Sequence, residues 1–213
     1  MKNTHIEHPE DTILTGDLSV LDAFVTKSKL SVKIDGAPAI VWGTNPLNNQ
    51  FFVGTKSVFN KFKIKINHNH ADVDRNHQGK VADILHPFLD HLPFTTGIYQ
   101  GDFIGFGGTD SFHPNTIRYS FPTEISQEIV VAPHTRYEAI DDLRNAVAFP
   151  LDETFEDTDE VKWVQPDAWV YPDFQKISHF NDAVDYAREF ASECEFVDET
   201  KARKIKKVIK TFI

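Results

Sequence analysis

Ser31-Val32-Lys33-Ile34-Asp35-Gly36-Ala37-Pro38-Ala39-Ile40-Val41-Trp42-Gly43 decides how the rest of the chain is read. The run Ala39 to Trp42 has the length and composition of a buried strand. Pro38 cannot extend a central ladder, so a strand over Leu30–Ile34 should break after Gly36 and a new one should start at Ala39. Between them lies Lys33-Ile34-Asp35-Gly36. Val32 and Ile34 flank the lysine with apolar side chains that could desolvate its amine. Asp35 can orient that amine, and Gly36 permits a tight turn and a close backbone approach. By itself the tetrapeptide also reads as a surface Lys-Asp pair before a turn glycine.

Working outward, Asn45-Pro46-Leu47-Asn48-Asn49 is a turn cluster, so Ala39–Trp42 and Phe51–Val53 form an antiparallel pair. Phe62-Lys63-Ile64-Lys65-Ile66 alternates and reads as an edge strand with its charges outward. Residues 67–77 hold His68, His70, His77, Asp72 and Asp74. They read as a polar loop beside a substrate path, with a metal site as the alternative. Val81, Ile84, Leu85, Phe88 and Leu89 have helical spacing, which Pro87 should end or kink. Gly97 to Ile104 reads as a strand that ends at Gly101-Asp102 and is followed by apolar residues, or as a strand-terminal turn, and residues 105–108 read as a flexible glycine-rich turn. Ile117, Tyr119 and Phe121 alternate, and Glu128–Tyr137 is a buried strand that runs into polar residues. Residues 151–160 form an acidic, solvated loop, and Trp163–Pro172 is extended. From Asp182 the pattern is helical. The last helix carries Ile205, Ile209 and Phe212 on one stripe and lysines elsewhere. It reads as a solvated helix packed on a neighbour or, second, as a nucleic-acid contact. Upstream, Leu18, Leu21, Phe24 and Val25 mark a short amphipathic helix. His5 and His8, among acids, read as a polar turn or, second, as metal ligands. Short alternating strands between turn clusters, with few helices, predict an α+β fold.

The 213 residues suit one large domain or a domain with an appendage. Hydrophobic residues make up 40% and the 18 phenylalanines supply a full core. A single cysteine, Cys194, excludes an intramolecular disulfide and suits a reducing cytoplasm. No apolar run approaches a membrane span and no signal-like segment opens the chain. A net charge of −10 argues against indiscriminate nucleic-acid binding, although lysines cluster at 56–65 and 201–210.

Lys33-Ile34-Asp35-Gly36 resembles the K-x-D-G signature of the covalent nucleotidyltransferases, the superfamily of DNA ligases, RNA ligases and capping enzymes. Gly101-Asp102-Phe103-Ile104 resembles that superfamily's strand ending in G-E, with Asp for Glu. Thr55-Lys56-Ser57 falls where the ligases carry an S-R-x-G-like motif. The stretches 4–8, 54–60, 71–77, 115–117 and 133–135 are similar to ligase-like proteins of large tailed phages, notably of cyanobacteria. The resemblance spans roughly residues 4–171. It implies a nucleotidyltransferase fold over 1–175 with a C-terminal helical segment over 176–213. It implies ATP-dependent polynucleotide ligase-like adenylyl transfer with Mg²⁺. Lys33 would be the nucleophile, Asp35 its neighbour, and Val32, Ile34 and Gly36 the walls of a nucleotide pocket. Lys56 would steady phosphate, Asp102 would hold ribose or metal, and His134 would stack on the base. The partner would be nicked or broken DNA or RNA, in the host cytoplasm for a phage protein.

The sequence also departs from that pattern. Pro38 stands where many DNA ligases have arginine, and no E-G-x-V or convincing K-x-K follows residue 140. Those motifs bring a metal acid and phosphate-binding lysines. Their absence predicts weak self-adenylylation, a partner chain that supplies them, or a non-catalytic nucleotide- or nucleic-acid-binding module.

Overall fold

The computed structural model describes residues 12–25, 30–166, 169–170 and 180–209. His5, His8, Tyr171 and Phe212 lie outside them, and so do the expectations that rest on them. The fold is α+β, built on a largely antiparallel sheet with helices. The chain divides into two compact units, one holding Lys33–Pro166, the other drawn from 7–32 and 167–213.

In the first unit the strands are β2 (Ala39–Thr44), β3 (Phe51–Thr55), β4 (Ile98–Phe106), β7 (Ile129–Glu138), β8 (Val147–Pro150) and β9 (Val161–Trp163). They run in the order β3-β2-β4-β7-β8, all antiparallel, and β9 joins β7 as a parallel neighbour. The β2–β3 hairpin has the expected partners, with Trp42 opposite Val53. Gly43 sits at φ +140, and a Cβ there would lie 2.0 Å from the Gly97 carbonyl, so only glycine lets β2 and the start of β4 approach. A small hairpin, β5 (Thr109–Phe112) and β6 (Tyr119–Ile125), follows the Gly107-Gly108 turn.

Strand alternation gives the sheet two apolar faces. Ile40, Trp42, Tyr99, Phe103, Val131 and Trp163 face one side. Helices α2 (His70–Asn76) and α3 (Lys80–His91) cover it with Val73, Ile84, Leu85 and Phe88. Val41, Phe52, Ile98 and Tyr137 form a second cluster, and Ile104, Phe112, Ile125, Val130 and Ala132 a third, which Ile34 joins.

Three expectations need correction. Residues 62–66 are not a strand: Asn60 Oδ1 accepts from the Phe62 and Lys63 N–H groups, Phe62 is 95% exposed, and only Asn67 bridges to β3. Residues 70–76 are helical, because Asn69 caps α2 by accepting from the Asp72 N–H. Pro87 does not end α3, which runs on to His91, since the buried stripe outweighs one lost hydrogen bond.

In the second unit α1 (Val20–Val25), α4 (Phe180–Ser192) and α5 (Glu199–Ile209) accompany β1 (Leu30–Ser31) paired with β10 (Trp169–Val170). The expected strand over Leu30–Ile34 therefore stops at Ser31. Arg188 is ion-paired to Asp22, and Val184 and Ala202 are buried. No helix among the described residues is long and apolar enough to cross a membrane.

Phe88 is fully buried, so Phe88→Ala should cost about 3–5 kcal/mol. Phe62→Ala should stay within about 0.5 kcal/mol. Urea unfolding of both variants checks this, and a large loss at Phe62 would restore the edge strand.

Candidate functional site

Asp102 is the centre of the site. It lies mid-sheet on β4, opposite Ala39 on β2 and Ala132 on β7, and is 5% exposed. The two alanines leave space around the carboxylate. A buried carboxylate must be paired, and Asp102 draws its partners from distant segments. Its Oδ2 accepts from the Lys33 amine at 3.1 Å and the Gly36 N–H at 3.3 Å. Its Oδ1 lies 3.4 Å from Nε2 of His134.

Lys33 is not on a strand. Residues 32–36 are irregular, and the chain regains β4 when the Ala37 N–H donates to the Phe103 carbonyl and the Phe103 N–H donates to Pro38 O. A Cβ on Gly36 would meet Phe103 O at 2.5 Å and Ile104 Cδ1 at 2.8 Å. The glycine is thus required for contact with β4, not for an open ligand cradle. Lys33 also donates to Asp35 Oδ1 at 2.7 Å. Asp35 is held in turn by Asn115, whose Nδ2 donates to Oδ2 at 2.8 Å, and by the Tyr119 hydroxyl, which accepts from its N–H. Sequence reasoning did not assign Asn115 and Tyr119 to the site. Asn115 lies in one of the stretches that resemble the ligase-like proteins, and its side chain closes a turn by accepting from the Ile117 N–H.

The electrostatics invert one expectation. Burial pushes the Lys33 pKa down, but the hydrogen bonds and charges of Asp35 and Asp102 outweigh it, so the net shift is upward. Val32 is 49% exposed, whereas Ile34 packs into the third cluster. For Asp102 burial pushes the pKa up, and His134 and Lys33 reverse this to a net lowering. Lys33 rests here as an ammonium between two carboxylates.

The remaining residues are placed less centrally. His134 sits at a bulge where β7 slips against β4. Its Nε2 edge faces Asp102 and its Nδ1 lies 2.7 Å from the Thr135 hydroxyl, so it serves the carboxylate and its ring edge is not free for a base. Lys56 is exposed and outside this cluster. It follows Thr55, which pairs with Ile40 beside Gly101, so it leaves the sheet at the end where Asp102 lies. No group of three or more His, Cys, Asp or Glu converges on a point among the described residues. An open cleft of about 490 Å³, lined by Thr44, Gly97, Tyr137 and neighbours, lies at the opposite end of β2.

Over residues 3–213 the sequence matches a family of unknown function, DUF6267. The chain belongs to that family. No curated protein and no solved structure matches it.

Asp102→Asn should destabilise the protein at neutral pH by about 2 kcal/mol, the scale of hydrogen bonds to a charged group, reduced because Lys33 is half exposed. The lowered Asp102 pKa contributes stability above its ordinary value of 3.8 that is lost as the pH falls through the folded value. The raised Lys33 pKa contributes stability below 10.5 that is lost as the pH rises past it. The gap in Tm between wild type and variant should narrow below the lower limit and above the upper one. A gap independent of pH would remove the ion pair from the account.

Proposed function

We propose that this protein is an ATP-dependent nucleotidyltransferase of the polynucleotide-ligase type, with a nucleotidyltransferase fold and Lys33 as the residue that takes up AMP. The observation that carries the reading is the Lys33 amine 3.1 Å from buried Asp102, across 69 residues of sequence. It joins two stretches, Lys33–Gly36 and Gly101–Ile104, each of which resembles a motif of that superfamily.

In this reading Lys33 must first lose a proton. Asp35 Oδ1, at 2.7 Å and more than half exposed to water, is the nearer and more open of the two carboxylates within reach of the amine. The neutral amine then forms an N–P bond to the α-phosphate of ATP, and pyrophosphate leaves with the electrons of the broken P–O bond. Asp102 holds the amine in place, and His134 holds Asp102. Lys56 meets phosphate as a point charge. Asp35 and Asp102, the two carboxylates that converge on the Lys33 amine, would hold Mg²⁺, which when bound would offset the triphosphate charge. The activated AMP would pass to a 5′-phosphate of DNA or RNA.

A second reading has its own support. A lysine whose pKa is raised is a cation suited to binding phosphate rather than attacking it. The protein would then bind a nucleotide or nucleic-acid end without covalent chemistry.

Incubation with α-labelled ATP and Mg²⁺ separates the two. Slow covalent labelling is expected, abolished by Lys33→Ala and reduced about 10²-fold or more in Asp102→Asn. ATP binding without label at any pH would favour the second reading, and binding of neither ATP nor a 5′-phosphorylated DNA or RNA end would defeat both.

A further inference from the structure

Away from Lys33, α2 and α3 bring two imidazoles together in an arrangement that the proposed function does not use. His70 and Asp74 are one helical turn apart on α2, and His86 and Asp90 one turn apart on α3. The contacts cross between the helices. His70 Nε2 lies 3.0 Å from Asp90 Oδ1, and His86 Nε2 lies 3.1 Å from Asp74 Oδ1. The two Nδ1 atoms face each other at 2.7 Å, edge to edge, with ring centroids 4.9 Å apart and ring planes 23° apart. A carboxylate oxygen only accepts, so each outward Nε2 carries a hydrogen. In the neutral rings the inward Nδ1 atoms are then both lone-pair acceptors.

We propose that His70 and His86 form a binding site for a divalent transition ion of the zinc, nickel or copper class, ligated through the two Nδ1 atoms. An imidazole that binds metal through one nitrogen characteristically donates its other N–H to a carboxylate, which fixes the ring and raises its basicity. Both rings here have that partner, and both inward nitrogens point at one place. Zn–N bonds are about 2.0–2.1 Å, so a small outward turn of the rings admits the ion. The ion takes the place between the two Nδ1 lone pairs. Both rings are partly exposed, which leaves the other coordination positions to water. Imidazole ligation disfavours Mg²⁺ and Ca²⁺, so this site is distinct from the carboxylates at Lys33. The ion would tie α2 to α3 and so brace the helical cover of the sheet.

The test is calorimetric titration of the full chain with Zn²⁺ and, separately, Mg²⁺ at neutral pH. The chain has ten histidines, so exposed His113→Ala serves as the background control. Wild type and His113→Ala should bind one Zn²⁺ equivalent. Mg²⁺ should not compete. His70→Gln and His86→Gln, which keep polar bulk on the exposed helix faces, should each remove that equivalent. Asp74→Asn and Asp90→Asn should weaken binding about 10–100-fold. Zn²⁺ should raise the Tm of wild type and leave that of His86→Gln unchanged, and this comparison holds even if the variants are less stable. Absence of Zn²⁺ binding by wild type, or equal binding and equal Tm shifts in both glutamine variants, would overturn the proposal.

Discussion

Burial of the Asp102 carboxylate is the constraint on which the site depends. A charge placed at the middle of a sheet costs several kcal/mol unless it is paired, and Asp102 is 5% exposed. It cannot find its partners within its own strand. The amine comes from Lys33 and one N–H from Gly36, both ahead of β2, and the imidazole comes from a bulge in β7. Each of those segments is therefore held at a set distance from β4. The backbone exchange between Phe103 and Ala37-Pro38, and the space that Gly36 leaves for Phe103, are the mechanical side of the same requirement.

The arrangement holds a tension between binding and reactivity. The carboxylates that place the Lys33 amine also stabilise its protonated form, so the geometry that aims the group restrains its nucleophilicity. Asp35 is the softer of the two restraints. It is more than half exposed, and is fixed by Asn115 and Tyr119 from the segment beyond β4.

Where local pattern and tertiary demand agree, the sequence is legible. The 45–49 turn cluster between two apolar runs specifies the β2–β3 hairpin, and the stripe of Ile84, Leu85 and Phe88 specifies α3 in spite of Pro87. The Lys33–Asp102 contact was approachable because each residue sits in a recognisable stretch. Other features are long-range and leave no local trace. Alternation at 62–66 imitates a strand, but the edge of β3 beside it meets only Asn67. Asp35 is 80 residues from Asn115 and 84 from Tyr119, and nothing in the spacing of those residues announces the meeting. His70 joins His86 only because a capping asparagine turns a polar stretch into a helix.

The central claim, that two carboxylates hold Lys33 as an ammonium around a buried Asp102, can be read directly at the amine. Protein carrying isotope-labelled lysine side chains, with the Lys33 resonance assigned by Lys33→Arg, would be titrated by NMR from neutral to alkaline pH. The account predicts a Lys33 midpoint above the ordinary 10.5 that falls in Asp102→Asn. A midpoint at or below 10.5 that Asp102→Asn leaves unchanged would contradict it.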